Sequence, residues 1–235
     1  MSEPNPLRMI LKRGSFLAGT AAALTAGTPL LGRTSPPGGS KTSPQQFLER
    51  LMAGNKRFVD NEAPTLSGFA EKREMLVSSQ APFAAILSCA DSRVIPNLVF
   101  AQGLGDLFVA RVAGNYPDDD VIASFEYAIE HLGTTLVMVL GHQSCGAVTA
   151  VYEAIKTKTP LPPHLSSLEH LIAPAITDVV RQRGSMDAAI EANVRAGVAR
   201  LKASPPVIAE GVKSGHVLVV GGFYQLGNGQ VSLIA

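Results

Sequence analysis

Apolar positions along residues 43–235 follow two patterns that alternate, unbroken apolar runs and helical spacing. The unbroken runs predict buried strands at 83–88, 107–114, 134–142 and 216–226, and a last strand at 230–234 after the turn Gly227-Asn228-Gly229. Helical spacing and capping residues predict helices at 44–58, from 118 to about 131, from about 146, and around 164–173 and 186–203. Strands that alternate with helices favour an α/β fold with a mostly parallel central β-sheet flanked by helices.

The start of the chain has a different pattern. Lys12 and Arg13 precede an uncharged, weakly apolar stretch at 14–32, an order typical of a secretory signal. LKRGSFLAG resembles a twin-arginine export signal, although Lys12 replaces the first arginine and two residues separate the pair from Phe16. We therefore expect an export signal at 1–32, a linker rich in Pro, Gly and Ser at 33–42, and one folded domain at 43–235.

This segment also decides the expected compartment. Export would place the protein in the periplasm or an equivalent extracytoplasmic compartment, and a signal that does not function would leave it in the cytoplasm. The stretch at 14–32 contains Gly19, Gly27 and Pro29 and is too weakly hydrophobic for a typical transmembrane helix, which needs about 20 mostly apolar residues. Contact with a membrane is therefore expected only through the N-terminal segment, if it is not cleaved.

Composition and charge exclude other classes of protein. Apolar residues make up 46% of the chain and charged residues 17%, which is typical of a globular protein and not of a disordered one. Residues 1–40 hold four of the 20 basic residues but one of the 19 acidic residues, so the rest of the chain is slightly negative. A nucleic-acid-binding protein keeps its basic excess on the folded part. We therefore expect no nucleic-acid partner.

Cysteine and histidine residues follow two of the predicted strands. Cys89 comes directly after the run that ends at 88, His142 ends another run, and Cys145 follows three residues later. The carboxyl ends of parallel strands meet at one edge of a sheet, where ligand sites form, so the three residues are expected to converge. Two thiolates and an imidazole suit Zn²⁺, and three protein ligands leave the open position of a catalytic site. A disulfide, or a nucleophilic cysteine activated by His142, is the alternative, but neither uses all three residues.

Longer segments around these residues resemble a known family. CADSRVIP, GDLFVARVAGN, GHQSCGAV and VVGGFYQLGNGQVSL are similar to the signature segments of the β-class carbonic anhydrases. The resemblance implies the β-carbonic anhydrase fold and makes 43–235 the catalytic domain of a zinc lyase. It implies the reversible hydration of carbon dioxide to bicarbonate and a proton by zinc-bound hydroxide. It also implies that Cys89, His142 and Cys145 are the zinc ligands.

The resemblance assigns further roles around the metal. Asp91 and Arg93 match the catalytic pair, in which the arginine holds the carboxylate and the carboxylate orients the hydroxide. Asp91 is also a possible fourth ligand in a closed state of the site. Gln80 and Gly146 match positions that help to bind the substrate. In this family the site lies at a dimer interface, so a homodimer or a higher homo-oligomer is implied.

Two other functions are compatible with the same ligands. A carbon disulfide or carbonyl sulfide hydrolase shares the fold and the ligand set, and differs in access to the pocket. A non-catalytic zinc-binding module is the other alternative. The pair Asp91 and Arg93 argues against the module, because a structural site has no use for an open metal position.

Overall fold

The computed structural model describes residues 42–62 and 68–235. The predicted export signal at 1–32 and nearly all of the predicted linker lie outside these residues. Within the described ranges, no helix is both long enough and apolar enough to span a membrane.

The described residues form helices that alternate with strands. The helices are α1 (Pro44–Val59), α2 (Phe69–Met75), α3 (Pro96–Val99), α4 (Asp119–Leu132), α5 (Gly146–Thr157), α6 (Ser166–Arg181), α7 (Met186–Lys202) and α8 (Val207–Lys213). The strands are β1 (Ala84–Ser88), β2 (Leu107–Arg111), β3 (Leu136–His142), β4 (Leu218–Tyr224) and β5 (Val231–Leu233).

The strands form one sheet in the order β2-β1-β3-β4-β5. The first four strands in that order are parallel to their neighbours, and β5 pairs antiparallel with β4 through the predicted turn. The mostly parallel α/β fold is thus confirmed. The register sets Ser88 opposite both Arg111 on β2 and Leu140 on β3, so the carboxyl ends of these three strands lie side by side.

Helices cover both faces of the sheet. On one face Ile86 and Met138 pack in a cluster with residues of α1 and α3, and on the other Leu87 and Val139 pack with residues of α4, α7 and α8. Every residue of β1 and β3 is buried. Burial on both faces explains why these strands appear in the sequence as unbroken apolar runs.

The structure differs from the sequence-based prediction in several elements. The short helices α2, α3 and α8 were not predicted, because one or two turns are too short to establish a period. The predicted strand at 107–114 ends at Arg111, and Gly114 adopts a left-handed conformation with φ of +86°. The predicted helix at 164–173 continues past Pro174 to Arg181. Ile176 and Val180 are buried beyond the proline, and their burial offsets the loss of the backbone hydrogen bond that Pro174 cannot donate.

The first helix is joined to the last hairpin by a buried side chain. The amide of Asn55 donates to the carbonyl oxygens of Val99 at 2.9 Å and Gly229 at 2.8 Å. Its Oδ1 accepts from the backbone N–H of Val231 at 2.8 Å. Asn55 is 3% exposed, so all three bonds are shielded from water, and they fix α1 against the sheet.

Candidate metal centre

The structure brings together the three residues predicted to bind a metal. Cys89 directly follows β1, His142 is the last residue of the adjacent strand β3, and Cys145 is the N-cap residue of α5. One potential ligand atom from each lies within 4.8 Å of the others, and all three residues are buried. The convergence of this group at the carboxyl edge of the sheet therefore matches the expectation.

The two sulfurs are spaced for a metal and not for a disulfide. Both cysteines are free, and their Sγ atoms are 3.9 Å apart. Two sulfurs bound at about 2.3 Å to a tetrahedral zinc are about 3.8 Å apart, whereas a disulfide requires about 2.05 Å. The geometry fits two ligands of one zinc ion and excludes the bridged alternative for this conformation.

His142 presents one ring nitrogen to the group. Its Nδ1 lies 2.9 Å from the carbonyl oxygen of Gln143, and donation to that oxygen leaves Nε2 as the unprotonated nitrogen. Nε2 is buried and has no hydrogen-bond partner among the described residues. A buried acceptor without a partner is costly unless a metal or water satisfies it, so this nitrogen fits the role of a metal ligand.

The surroundings of Cys89 favour a thiolate. The thiol of Cys145 and the backbone N–H of Gly114, 3.3 Å from Cys89 Sγ, both donate to this sulfur and hold the pKa of Cys89 well below its usual value. The same contact with Cys89, together with burial, raises the pKa of Cys145. A zinc ion would replace the proton that the two sulfurs share, because its ligands are thiolates.

Asp91 and Arg93 form a bidentate pair beside the group. Arg93 Nε donates to Asp91 Oδ1 at 2.9 Å, and Nη2 donates to Oδ2 at 2.7 Å. The backbone N–H of Arg93 adds a third bond to Oδ1 at 2.9 Å. Hydrogen bonds from the Arg93 side chain hold the pKa of Asp91 well below its usual value. Asp91 Oδ2 is 4.0 Å from His142 Nε2, so a carboxylate stands next to the candidate ligands and is restrained by an arginine.

The two predicted substrate-binding residues lie in different places. Gly146 is the first residue of α5, so its N–H is one of those that have no acceptor within the helix, and it adjoins Cys145. Gln80 precedes β1 and therefore lies toward the opposite edge of the sheet from Cys89. Gln80 is exposed there and lines a cavity of about 730 Å³ with Tyr127 and His131. A single chain thus does not bring Gln80 to the metal centre.

Comparisons with known proteins agree with this geometry. Residues 84–231 match a family described as carbonic anhydrase. Carbonic anhydrase 2 of Mycobacterium tuberculosis is 38% identical over 194 residues, 82% of this chain and 93% of that protein. The chain belongs to the β-carbonic anhydrase family. The carbonic anhydrase of Mycolicibacterium smegmatis is 36% identical over 82% of this chain and 94% of its own length. A Coccomyxa β-carbonic anhydrase, solved with acetazolamide, has a TM-score of 0.63 at 27% identity over 80% of this chain and 86% of that one.

Two residues that position the metal centre were missed from the sequence. Gly114 donates its N–H to Cys89, and a Cβ at this position would stand 2.6 Å from Ile172 Cδ1. Asn193, 4% exposed on α7, donates to the carbonyl oxygen of Gly114 at 2.8 Å. A glycine after a strand that ends at the same edge as Cys89 was the available signal for Gly114. Asn193 lies 79 positions further along the chain, and no local pattern connects the two.

Metal removal should release two thiols. We expect one zinc ion per chain and no disulfide, because the sulfur spacing suits a shared metal. Thiol titration of native protein should find neither cysteine reactive, and chelation with denaturation should expose both. The Cys89→Ser variant should lose zinc and show a single thiol once it is denatured, with or without chelator. Denatured, unreduced protein in which no thiol reacts would show that the cysteines are bridged.

Proposed function

We propose that this protein is a carbonic anhydrase, a zinc lyase that reversibly hydrates carbon dioxide to bicarbonate and a proton. The observation that carries the proposal is the Cys89–His142–Cys145 group with the carboxylate–arginine pair beside it. The similarity to carbonic anhydrases over 82% of the chain supports the same reaction. Metal analysis together with a carbon dioxide hydration assay is the direct test.

The ligand set is suited to zinc. Two sulfurs and one imidazole nitrogen are donors that Zn²⁺ prefers, and three protein ligands leave one tetrahedral position for chemistry. Zinc held there would supply hydroxide near neutral pH, since it lowers the pKa of bound water to about 7. Burial of all three ligand residues restricts the solvent around that position.

Asp91 has two possible positions, and Arg93 selects between them. With its oxygens held by Arg93, the carboxylate stays clear of the fourth metal position and would be placed to accept a hydrogen bond from a hydroxide that zinc supplies. That hydrogen bond would orient the hydroxide toward the carbon of the substrate. Charge-assisted, bidentate hydrogen bonds are stronger than neutral ones, so the pair with Arg93 opposes movement of Asp91 to the metal. We therefore infer an open site at neutral and alkaline pH, with Asp91 as the fourth ligand in a closed state.

Loss of either member of the pair should reduce activity without loss of zinc. Arg93→Ala frees Asp91 to occupy the fourth position, and Asp91→Ala removes the group that orients the hydroxide. We expect each variant to bind one zinc ion and to hydrate carbon dioxide on the order of 10–100-fold more slowly. The exposed pair Asp178 and Arg181, 3.1 Å apart on α6, provides a matched control, since Asp178→Ala and Arg181→Ala should leave the rate unchanged. A near wild-type rate in Asp91→Ala or Arg93→Ala would refute the role of the pair.

The alternatives are not favoured. The curated relatives are carbonic anhydrases, and none of those described above is a carbon disulfide or carbonyl sulfide hydrolase. A non-catalytic zinc module would not need a carboxylate restrained 4.0 Å from a ligand nitrogen. Assay of carbon disulfide and carbonyl sulfide beside carbon dioxide separates the two enzymes.

The position of Gln80 supports a homodimer. Within one chain Gln80 and Cys89 lie toward opposite edges of the sheet, and β1 separates them. A substrate role for Gln80 therefore requires that a second copy bring its Gln80 to the metal centre of the first. Apolar side chains near Gln80 are exposed in the single chain, namely Met75 at 67% and Val77 at 86%, and a partner would cover them.

Complementation between two inactive variants tests this arrangement. The Gln80→Ala chain keeps the metal ligands, and the Cys89→Ser chain keeps Gln80. In a mixed dimer the first chain would have an intact metal centre facing an intact Gln80. Random mixing of equal amounts should then restore about a quarter of the wild-type activity, because half of the dimers are mixed and each has one complete site. A mixture of Cys89→Ser and His142→Ala is the control, since neither chain has all its ligands. No recovery in the first mixture would show that Gln80 does not act across a dimer.

We also propose that the protein is exported. Support comes from the basic pair Lys12-Arg13 followed by the uncharged stretch at 14–32, and from the composition of the segment at 33–42, which is rich in Pro, Gly and Ser. Folding before export, as a twin-arginine pathway allows, would let the thiolates bind zinc before they meet an oxidising compartment. Membrane contact is confined to the N-terminal segment in this proposal.

A reporter fusion tests the export signal. Residues 1–42 joined to a reporter enzyme should direct it out of the cytoplasm, measured by cell fractionation. The variant Lys12→Gln/Arg13→Gln should stay in the cytoplasm, because the basic pair directly before the apolar stretch is removed. Arg33→Gln, which changes a basic residue in the linker, should be exported like the unchanged segment. Equal distribution of all three fusions would contradict the proposal.

A further inference from the structure

Arg111 contacts the loop that carries Cys89 and Asp91. It is the last residue of β2, and the parallel register places it beside Ser88 at the end of β1. Its Nε donates to the carbonyl oxygen of Cys89 at 3.0 Å, and its Nη2 donates to the carbonyl oxygen of Asp91 at 2.7 Å. One guanidinium group therefore holds two backbone carbonyls of the loop that follows β1.

We propose that Arg111 is a positioning residue of the metal centre. By fixing the loop at 89–93 relative to the sheet, it keeps the carboxylate of Asp91 with Arg93 and out of the metal position. The movement that it has to prevent is small, because Asp91 Oδ2 is already only 4.0 Å from the candidate ligand atom His142 Nε2. The inference rests on the proposed function for its catalytic consequence, but the restraint on the loop is independent of the reaction.

The pair Asp91 and Arg93 cannot provide this restraint alone. Arg93 is two residues from Asp91, and the three bonds between them lie within the loop. Such bonds would survive a movement of the loop as a unit. Arg111 comes from a different strand of the sheet, so its bonds resist that movement. Among the described residues, two backbone N–H groups also join the loop to the segment that follows β2. Ala90 N–H donates to Val112 O at 3.3 Å, and Gly114 N–H donates to Cys89 Sγ at 3.3 Å.

The chemistry of the guanidinium explains why arginine suits this position. Its donors form a rigid planar fork, so Nε and Nη2 can reach two acceptors in a fixed geometry. A lysine at 111 would present a single flexible ammonium group, which can bind one carbonyl well but does not fix the spacing of two. Lysine therefore makes a graded test of the role, between arginine and an apolar side chain.

Amide hydrogen exchange of the zinc-loaded protein tests the restraint directly. The N–H groups of Ala90 and Gly114 report on the restraint, because their bonds to Val112 O and to Cys89 Sγ join the loop to the extension of β2 and would break if the loop moved as a unit. In Arg111→Met, which keeps length but has no donor, we expect these amides to exchange about 10-fold faster or more, with an intermediate effect in Arg111→Lys. Exchange at Val139 in the core and the unfolding temperature should stay unchanged. Arg181→Met, on the exposed face of α6, is the control and should not alter the loop.

A double-mutant cycle tests the link to Asp91. Arg111→Met should lower the carbon dioxide hydration rate about 10-fold in the otherwise unchanged protein and by less than about 2-fold in the Asp91→Ala background, because the positioned group is then absent. An equal loss in both backgrounds, or loop exchange that matches the unchanged protein, would overturn the proposal. Should Arg111→Met fail to fold, Arg111→Lys decides by the same two measurements. An unchanged protein that does not hydrate carbon dioxide would refute the proposed function, while the exchange measurements would still decide the role of Arg111.

Discussion

The parallel pairing of β1 with β3 is the constraint on which the metal centre depends. It aligns Ser88 with Leu140, so the segment that begins at Cys89 and the end of β3 at His142 reach the same edge of the sheet. A shift of one residue would turn the side chains of one strand to the opposite face, and the ligand atoms would no longer meet. The register is held by apolar side chains buried on both faces. The geometry of a polar site therefore depends on the packing of residues that take no part in its chemistry.

The metal centre gathers negative charge at that edge and supplies donors to balance it. Two sulfurs and a carboxylate lie close together, and two of these three groups have a donor outside the group: the backbone of Gly114 for Cys89 and the side chain of Arg93 for Asp91. These donors come from β2 and its extension and from the loop itself. A zinc ion bound there would add the remaining positive charge. The polar surroundings thus offset the negative charge of the ligands. They also keep the carboxylate of Asp91 from becoming a further ligand.

The sequence predicted the parts of the fold that have a regular period and a buried face. The starts of α1 at Pro44 and of α4 at Asp119, the strand that ends at His142 and the hairpin at Asn228 are examples, and the structure confirms them. The convergence of Cys89 with His142 and Cys145 could also be predicted, because parallel strands share an edge. Contacts made by single side chains between distant segments could not be predicted, because they leave no periodic pattern in the sequence. The hydrogen bonds of Arg111 and Asn193 are of this kind. Gln80 shows a further limit, because its position has meaning only in relation to another copy of the chain.

Asn55 has a consequence for the order in which the chain folds during synthesis. Its side chain bonds to Gly229 and Val231, which are 174 and 176 positions away along the chain. Until the ribosome has made these residues, the amide of Asn55 can bond only to Val99. The apolar face of α1 can pack earlier, because Leu51 lies in a cluster with Ile86 and Met138, which are made well before the hairpin. The bonds that lock the first helix to the hairpin therefore form late, after its apolar packing.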